Sequence, residues 1–538
     1  MADRATTLPE LLTGLADSDR KVLFPTSGAT LPHRALPALA RSTGALLTAK
    51  GVVRDEVVGL LIPTGPEWLS SFFGVSMIGA VVSTLPLPPV VLDPEAVAQG
   101  LLPIVAAADL RHLVVAGVGR AVGAALAEAR PELAVIDVTE VPAGNVPDVP
   151  VRPHDRAVVQ FSSGSTARPK GVVLTHQAML TGVSAINTHI QTVPEDLLVG
   201  WVPLFHDMGL VSLLCSLLTP CDAHLFGPQS FIRDPGAIVE HIAEAGGTIV
   251  TGPNFSYDKF VEAAQGRSLD LSRWRLALNG AETVRPDTVT DFQRTFGPCG
   301  VPSSTMYPCY GMAEATLAVT LPKLGTPPRM LTVDRERTEL NGPVVFDERG
   351  RRLVGVGVAV PGMEIAIAGT DGEHLPEGWL GEIHIRGAAV TRGYLGETPR
   401  ADDDWLSTGD LGFLDNGELF IVGRRKEMII VRGRNFFPDE VENSVRDLDV
   451  VHRGHCVAVA HPFEERIVVV AETAAQTGAE AGSIQGAVQS ALGLAAVDVV
   501  LVPPRSLPRT TSGKWQRTLV AELVRRHLTD TPPQEDSS

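Results

Sequence analysis

Apolar runs of strand length alternate with helix-like stretches from about residue 50 to about residue 330. This alternation is typical of α/β folds, in which helices cover sheets of parallel strands. A longer apolar window, about Phe72 to Leu87, is interrupted by small residues and runs into prolines, which favours a buried helix and strand over a membrane span. The strand-like runs are Val57–Ile62, Ser70–Ile78, Val81–Leu85, Leu113–Val115, Leu133–Val138, Ala157–Phe161 and Thr248–Thr251.

From residue 354 onward the pattern becomes β-like, with glycine-containing turns between short segments. These segments are Glu364–Ile367, Gly381–Arg386 and Glu418–Val422. The C-terminal part of the chain mixes helical stretches with the apolar segments Cys456–Ala460, Ile467–Glu472 and Val499–Val502. The polar end, residues 531–538, is predicted to be disordered because it has no apolar surface to bury.

A chain of 538 residues is too long for one hydrophobic core, so at least two domains are expected. We predict an α/β protein whose large N-terminal domain, residues 1–423, contains several subdomains: mixed β-sheets flanked by helices, and a β-rich part. A small α+β domain, residues 428–530, follows. The basic segment Gly423-Arg-Arg-Lys-Glu427 between them is the predicted boundary.

The composition excludes several classes of protein. Hydrophobic residues make up 44% of the chain and charged residues 20%, as in an ordinary globular protein. The net charge of −17 argues against a nucleic-acid surface and against a polybasic membrane patch. The five cysteines show no metal-binding spacing, and the N-terminus lacks the apolar core of a signal peptide. We therefore expect a cytoplasmic protein with no nucleic-acid partner and no membrane insertion.

The segment Ser162–Gly171, Ser-Ser-Gly-Ser-Thr-Ala-Arg-Pro-Lys-Gly, carries the densest chemistry in the chain. It follows a β-rich run, and its hydroxyls, backbone N–H groups and Lys170 are suited to holding phosphate. The P-loop of nucleoside triphosphatases would need glycine in place of Pro169 and Ser or Thr in place of Gly171. The segment therefore predicts a phosphate site of another kind, with an ordinary polar loop as the simpler alternative.

Four further clusters carry chemistry, and each has a simpler alternative. Tyr310-Gly-Met-Ala-Glu314 offers a ring for a base and a carboxylate for Mg²⁺, or is a buried tyrosine with a surface glutamate. Ser407-Thr-Gly-Asp410 is suited to ribose hydroxyls, or is a β-turn. Asn279-Gly-Ala-Glu282 fits an adenine pocket or a helix cap. Pro508–Lys514 is a hydroxyl-rich loop that presents a lysine, or a solvated tail.

The order and spacing of these motifs resemble the adenylate-forming superfamily, which contains acyl-CoA ligases, luciferases and peptide-synthetase adenylation domains. The resemblance covers nearly the whole chain and includes Gly-Arg-x-Lys at the domain boundary. It implies a ligase that uses ATP and Mg²⁺ to convert a carboxylic acid into acyl-AMP, with release of pyrophosphate. It also implies that the C-terminal domain is mobile about a hinge at residues 424–427.

The resemblance also implies roles for individual residues. Ser162 to Lys170 would wrap the β- and γ-phosphates, and Glu314 with Thr166 would bind Mg²⁺. The candidate catalytic residues are Lys514, which would reach the substrate carboxylate and the α-phosphate, His206, and the hinge residue Lys426. The nucleotide-binding candidates are Ser162, Ser163, Gly164, Ser165, Thr166, Lys170, Asn279, Gly280, Ala281, Tyr310, Gly311, Met312, Asp410 and Arg424.

Within that set, Tyr310 would stack on adenine with Gly280 and Ala281 behind it, while Asp410 and Arg424 would hold the ribose. The acyl pocket is less well defined by the sequence, and a long, a medium or a bulky cyclic acid stays open. Its candidate residues are His206, Met208, Phe255, Ser256 and Met312.

Several segments are more similar to the fatty-acyl-AMP ligase branch than to ordinary CoA ligases, among them Trp201–Leu210 with its His-Asp-Met-Gly sequence. Phe436-Phe437 departs from the His-Tyr that is frequent in that branch. An extra stretch, residues 331–357, corresponds to an insertion that is thought to restrain the small domain and to disfavour free CoA. A variable surface loop is the alternative. The resemblance thus implies transfer to an acyl carrier protein, for lipid or natural-product assembly.

Other functions stay open at this point. An acyl-CoA synthetase would carry out the same first half-reaction and then use free CoA. A non-catalytic protein that binds nucleotide or acyl-adenylate is an alternative of another class, although Lys170, Glu314, Asp410 and Lys514 are all retained. A kinase-like phosphotransferase would release ADP rather than AMP.

Overall fold

The computed structural model describes residues 5–146, 149–162, 169–475, 477–509 and 514–530, so the tail predicted at 531–538 lies outside the described residues. The α-helices of the described residues are α1 (Leu8–Thr13), α2 (Leu36–Ala49), α3 (Pro66–Met77), α4 (Pro94–Ala107), α5 (Gly119–Ala129), α6 (His176–Ile190), α7 (Asp207–Leu218), α8 (Pro228–Arg233), α9 (Pro235–Ala245), α10 (Asn254–Ala264), α11 (Pro286–Phe296), α12 (Pro438–Asn443), α13 (Gly478–Leu492) and α14 (Arg517–Asp530).

The strands follow the same numbering in chain order. They are β1 (Lys21–Phe24), β2 (Ala29–Pro32), β3 (Val57–Leu61), β4 (Val81–Thr84), β5 (His112–Val115), β6 (Ala134–Asp137), β7 (Arg156–Ser162), β8 (Lys170–Thr175), β9 (Leu197–Gly200), β10 (Asp222–Leu225), β11 (Ile249–Gly252), β12 (Leu276–Asn279), β13 (Met306–Pro308), β14 (Tyr310–Gly311), β15 (Ala318–Leu321), β16 (Met330–Val333), β17 (Arg351–Val354), β18 (Val358–Ala359), β19 (Met363–Ala368), β20 (Gly381–Gly387), β21 (Leu406–Asp415), β22 (Glu418–Arg424), β23 (Ile429–Val431), β24 (Arg434–Phe436), β25 (Cys456–Ala460), β26 (Ile467–Glu472) and β27 (Val497–Val502).

Two large sheets with helices between and outside them form the first part of the chain. One has the strand order β6-β5-β3-β4-β7-β8 and the other β13-β12-β11-β9-β10-β1-β2. Neighbouring strands are parallel except β7 with β8 and β1 with β2. The inner faces of both sheets share a core with α3, α6 and α7. Helices α4 and α5 cover the outer face of the first sheet, and α9 to α11 cover that of the second.

The later part of the chain is built from smaller sheets. Strands β19 to β22 form an antiparallel sheet, and β16 with β17 forms a hairpin beside it. A 3₁₀ turn, Arg425–Glu427, leads into the C-terminal residues. There the sheet β25-β26-β27 buries α12 and α13 on one face and α14 on the other.

The predicted fold class is confirmed, and most predicted strands are present with ends that differ by a residue or two. The prediction of a strand at Ser70–Ile78 was wrong, because these residues lie in or next to helix α3. Every residue from Trp68 to Ser76 is buried, so the helix has no polar stripe to reveal its period. Within the described residues, no helix is both long and apolar enough to cross a membrane, and Phe72–Leu87 contains the predicted helix and strand. The domain boundaries stay a prediction.

Candidate active site

A cavity of about 2100 Å³ opens where the two large sheets, the β-rich part and the C-terminal residues meet. Most of the described residues predicted to be functional line it. They are Lys170, His206, Met208, Phe255, Ala281, Tyr310, Gly311, Met312, Glu314, Asp410, Arg424, Lys426 and Lys514. The fold thus brings together side chains that are separated by more than half of the sequence, which is the first requirement of a common site.

The predicted phosphate loop joins β7 to β8. These strands are antiparallel, and Ser162 is paired in register with Lys170, so the two ends of the loop are held side by side. The four loop candidates between them lie outside the described residues; they are Ser163, Gly164, Ser165 and Thr166. Lys170 is exposed to the cavity, with its Nζ 4.8 Å from the centre of the Tyr394 ring.

Tyr310, Asp410 and Arg424 form a connected group on the cavity wall. The Tyr310 hydroxyl donates a hydrogen bond of 2.7 Å to Asp410 Oδ2, and Arg424 Nε lies 3.0 Å from Asp410 Oδ1. Burial, and the negative charge of Asp410, raise the pKa of Tyr310 well above its usual range, so the hydroxyl stays protonated as a donor. The Asp410 carboxylate is 5% exposed and is held in one orientation by both neighbours.

Glu314 is positioned by a tyrosine that the sequence reasoning missed. The Tyr394 hydroxyl donates a 2.9 Å hydrogen bond to Glu314 Oε1, and the same ring lies beneath Lys170 Nζ. Nothing in the spacing of the sequence points to Tyr394, because it bonds a residue that lies 80 positions earlier. A carboxylate fixed in this way next to Lys170 is a suitable ligand for Mg²⁺, which is usually held by one or two carboxylates together with substrate phosphates.

The described residues contain no group of three or more His, Cys, Asp or Glu side chains that could hold a metal without help. A Mg²⁺ ion at Glu314 would need phosphate oxygens to complete its coordination. Glu314 therefore fits such an ion, and Thr166 is the further candidate ligand outside the described residues.

His206 and Asp207 stand at the N-terminus of α7. His206 Nδ1 is 2.6 Å from Asp207 Oδ1, which also accepts a 2.7 Å hydrogen bond from the backbone N–H of Met208. Burial would raise the pKa of Asp207, but the charges of His206 and Lys514, with these hydrogen bonds, lower it to about 2. Asp207 was not among the predicted site residues, although it follows His206 directly in a segment that the sequence had singled out.

Three candidates lie behind the cavity wall rather than on it. Asn279 and Ser256 are fully buried, and their side chains bond to Asn254 and to the Pro253 carbonyl. Gly280 is packed so closely that a Cβ there would lie 2.8 Å from the sulfur of Cys309. These positions shape the wall, and their predicted contacts with ligand stay predictions.

The predicted hinge residue Lys426 lies in the 3₁₀ turn Arg425–Glu427 at the cavity edge. Burial and the neighbouring charge of Arg424 lower its pKa. The adjacent Glu427 forms an ion pair with Arg517, at the start of α14, in which Glu427 Oε2 lies 3.4 Å from Arg517 Nε.

The stretch predicted as an insertion contacts C-terminal residues that follow the 3₁₀ turn Arg425–Glu427. Its hairpin β16–β17 carries Arg351, which lies 2.8 Å from Asp439 and stacks over the ring of Phe437. Arg335, between the two strands, lies 2.7 Å from Glu440. Phe437 also packs in an apolar cluster with Val333, Leu353 and residues of β21 and β22. We call these contacts with Phe437, Asp439 and Glu440 the insertion contact.

Comparisons with known proteins find matches over most of the chain. Residues 16–395 match the family model described as AMP-binding enzyme. The chain is 34% identical over 533 residues to the medium-chain-fatty-acid–[acyl-carrier-protein] ligase JamA of Moorena producens, covering 91% of this chain and 89% of that protein. It is 32% identical over 517 residues to a putative acyl-CoA synthetase of Caulobacter vibrioides, with the same coverage. A solved structure from studies of the fatty acyl-adenylate ligases of E. coli and L. pneumophila matches with a TM-score of 0.91 at 28% identity, covering 99% of this chain and 100% of that one.

Proposed function

The chain belongs to the AMP-binding enzyme family, and on that premise we propose that it activates a fatty or other apolar acid and delivers it to a carrier protein. The predicted resemblance to adenylate-forming enzymes is confirmed. In the first half-reaction the acid and ATP yield acyl-AMP and pyrophosphate. In the second, the phosphopantetheine thiol of the carrier protein takes the acyl group and AMP leaves.

The first step needs charge stabilisation more than proton transfer. A carboxylic acid is already ionised at pH 7, so its oxygen attacks the α-phosphorus of ATP without a general base. The new carboxylate–phosphorus bond forms as the bond to pyrophosphate breaks. Because two anions must approach each other, cations at the cavity wall supply the stabilisation. Lys514 on the C-terminal side and Lys170 on the β8 side are the cations that we assign to this task.

The nucleotide end of the site is preorganised by its own hydrogen bonds. Asp410, fixed by Tyr310 and Arg424, presents a carboxylate to the ribose hydroxyls, and the Tyr310 ring offers a face for adenine. Glu314 with Thr166 would hold Mg²⁺, which neutralises phosphate charge when it is bound. The pyrophosphate leaves from the end where Lys170 stands.

The choice of acceptor rests on the insertion contact. The resemblance implies that residues 428–530 turn about Lys426 after Lys514 has acted in adenylation. Only then can the thiol acceptor of the second half-reaction enter the site. Two ion pairs with side-chain exposures between 5% and 26%, plus the apolar packing of Phe437, oppose such a turn. A free CoA molecule supplies only its own binding energy to break these contacts, whereas a docked protein adds an interface. This contact therefore favours a carrier protein over free CoA.

The decisive experiment measures both half-reactions in the same preparation. Acid-dependent exchange of pyrophosphate into ATP, over a panel of acids, tests adenylate formation. Mass spectrometry of an intact holo carrier protein, beside a CoA thioester assay, tests the acceptor. We expect pyrophosphate exchange with several acids. We also expect the acyl group to be transferred faster to the carrier protein than to CoA. Absence of exchange with every acid would leave a non-catalytic binder, and preference for CoA would make the protein an acyl-CoA synthetase.

A further inference from the structure

One arm of the cavity leaves the polar residues and runs inward between helices α6 and α7 and the seven-stranded sheet. We call it the deep arm. On the α7 side it is lined by Met208, Ser212, Cys215 and Ser216. These residues have the spacing i, i+4, i+7 and i+8, so they form a single stripe along one face of the helix. The stripe runs along the helix axis and therefore gives the direction of the deep arm.

The opposite wall comes from three neighbouring parallel strands, β12, β11 and β9. Thr251 is in register with Leu278, and two residues earlier on its strand Ile249 is in register with Leu198. All four side chains line the cavity. Because residues two apart on a strand face the same side of the sheet, these pairs make two successive layers along the arm.

A hydrogen-bonded polar group lies behind the inner end of the deep arm. Thr192 and Cys221 line this end. Behind it Asn187, only 7% exposed, donates hydrogen bonds of 2.9 Å to the Cys215 carbonyl and to Thr219 Oγ1, and accepts one of 3.0 Å from Thr192. The amide thus ties the ends of α6 and α7 together at this end of the arm.

The length of the deep arm follows from the geometry of its walls. Met208 and Ser216 are eight residues apart on α7, which is about 12 Å at the rise of an α-helix. The Thr251–Leu278 layer lies about four strand residues above the level of Cys221, which is about 13 Å. Three bonds of an extended backbone span roughly 3.3–3.6 Å, or about 1.2 Å for each bond. An extended acyl chain of about ten bonds therefore fills the arm.

The walls also restrict the chemistry of the occupant. The described side chains that line the deep arm are apolar, hydroxyl or thiol groups, and none of them carries a charge. In contrast, the arm of the cavity beside α10 is lined by Asp258, Lys259 and Glu262. An acid with a second charged group at its far end would have to bury that charge in the deep arm without a partner, and the desolvation would cost considerable free energy.

We propose that the deep arm selects a linear, uncharged acid of about eight to twelve carbons. Its carboxylate lies beside Met208 and His206, its chain runs along the α7 stripe, and its end stops at Thr192 and Cys221. This inference rests on the proposed function, because it names the class of acid that this site activates. Ser212 lies one helical turn below Met208, partway along the arm, and Ile190 lines its inner end, so substitutions at these two positions should change the usable length.

The test is pyrophosphate exchange with the unbranched acids of four to sixteen carbons. For the unchanged protein, kcat/KM should rise about fourfold for each methylene up to the limit and then fall at least tenfold by hexadecanoate. Ser212→Phe blocks the arm, so decanoate should lose about 100-fold relative to butanoate. Ile190→Ala deepens the arm, so the preferred acid should become longer by one or two carbons. Ser483→Phe places the same ring on an exposed helical serine and is the matched control.

Ser212→Phe should shift the preference to shorter acids and Ile190→Ala to longer ones. Because general damage to the fold would not give opposite shifts, the two variants together test whether the arm determines chain length. Thermal unfolding of each variant is followed so that activities are compared at equal folded protein. Exchange that shows no dependence on chain length, or a Ser212→Phe variant that loses all acids equally, would overturn the inference while leaving the proposed function intact. Absence of exchange with every acid would overturn both.

Discussion

The C-terminal residues 428–530 meet the rest of the chain through two surfaces that differ in physical character. At the insertion contact, Arg335 and Arg351 face Asp439 and Glu440 with little exposure to solvent, and Phe437 is buried beside them. At the cavity, Lys514 is exposed and acts on Asp207 through its charge. The first surface is desolvated, so removing one partner leaves a charge without compensation. The second surface is exposed to solvent at Lys514, and single contacts between exposed charges contribute little to stability.

This difference separates two tasks within one small region. The desolvated surface holds the C-terminal residues in place, and the exposed surface presents Lys514 to the reacting groups. Substitution of the exposed Lys514 should therefore change the rate of adenylation with little change in stability, and substitution of Arg351 at the insertion contact should lower stability with little change in that rate.

The largest expected effect is that of Lys514→Ala. Loss of a positive charge that stabilises the transition state should lower the rate of adenylation by about 10²–10³, by analogy with the loss of an oxyanion-hole donor. The free energy of unfolding should change by less than about 0.5 kcal/mol. Pyrophosphate exchange and urea unfolding measure the two quantities. Lys323→Ala, at an exposed position away from the cavity, is the control, and a normal adenylation rate in Lys514→Ala would refute the assignment.

Arg351→Ala should break the insertion contact. It removes the partner of Asp439 and the stacking over Phe437, so the free energy of unfolding should fall by about 3 kcal/mol. Loosening of the C-terminal residues should also raise turnover with free CoA about tenfold relative to adenylation, the equivalent of about 1.4 kcal/mol. Urea unfolding and a CoA thioester assay measure these effects.

The neighbouring Arg352 supplies a matched control. It pairs with Asp287 on the surface, with side-chain exposures of 51% and 73%. Arg352→Ala should therefore have little effect on stability and none on the ratio of CoA thioester to acyl-AMP. Equal effects of the two substitutions would show that the insertion contact does not restrain the C-terminal residues.

Asp207, unlike Lys514, is largely buried at the cavity wall, with a side-chain exposure of 18%, so Asp207→Asn should change stability in a way that depends on pH. Because the folded-state pKa of Asp207 is lowered to about 2, its charge stabilises the fold above the unfolded-state pKa near 4, and this contribution is lost as pH falls towards 2. Asn should therefore lower stability by about 2 kcal/mol at pH 7, and the difference from the unchanged protein should vanish near pH 2. Urea unfolding between pH 7 and pH 2 measures this, with the exposed Asp17→Asn as control. A difference independent of pH would exclude the ionised carboxylate as its origin.

Hydrophobic pattern and motif order predicted much of this molecule. Strand β7 extends the predicted Ala157–Phe161 by one residue at each end, because an apolar run of that length is characteristic of a buried strand. Tyr310, Asp410 and Arg424 were predicted as parts of one site, and one hydrogen bond and one ion pair connect them. Pattern failed at Ser70–Ile78, since a helix buried on all sides has no polar stripe.

What the sequence could not supply are contacts between distant positions. Tyr394 bonds Glu314 from 80 residues away, and Arg351 pairs with Asp439 from 88 residues away. Neither pair has a spacing or motif that reveals it, because the partners meet only after the sheets have formed. The predicted insertion was therefore visible as extra length, while its contact with the C-terminal residues was not.

The smallest expected effect is that of an exposed ion pair beside the insertion contact. Glu336 pairs with Arg434 at 2.9 Å across the same boundary, but its side chain is 69% exposed. Exposed pairs contribute about 0–1 kcal/mol, so Glu336→Gln should lower the free energy of unfolding by less than about 0.5 kcal/mol and leave CoA turnover unchanged. Urea unfolding at low and at high salt measures this difference, which salt should abolish. If Glu336→Gln matched Arg351→Ala in either quantity, the number of ion pairs across the boundary, and not their desolvation, would determine how firmly the C-terminal residues are held.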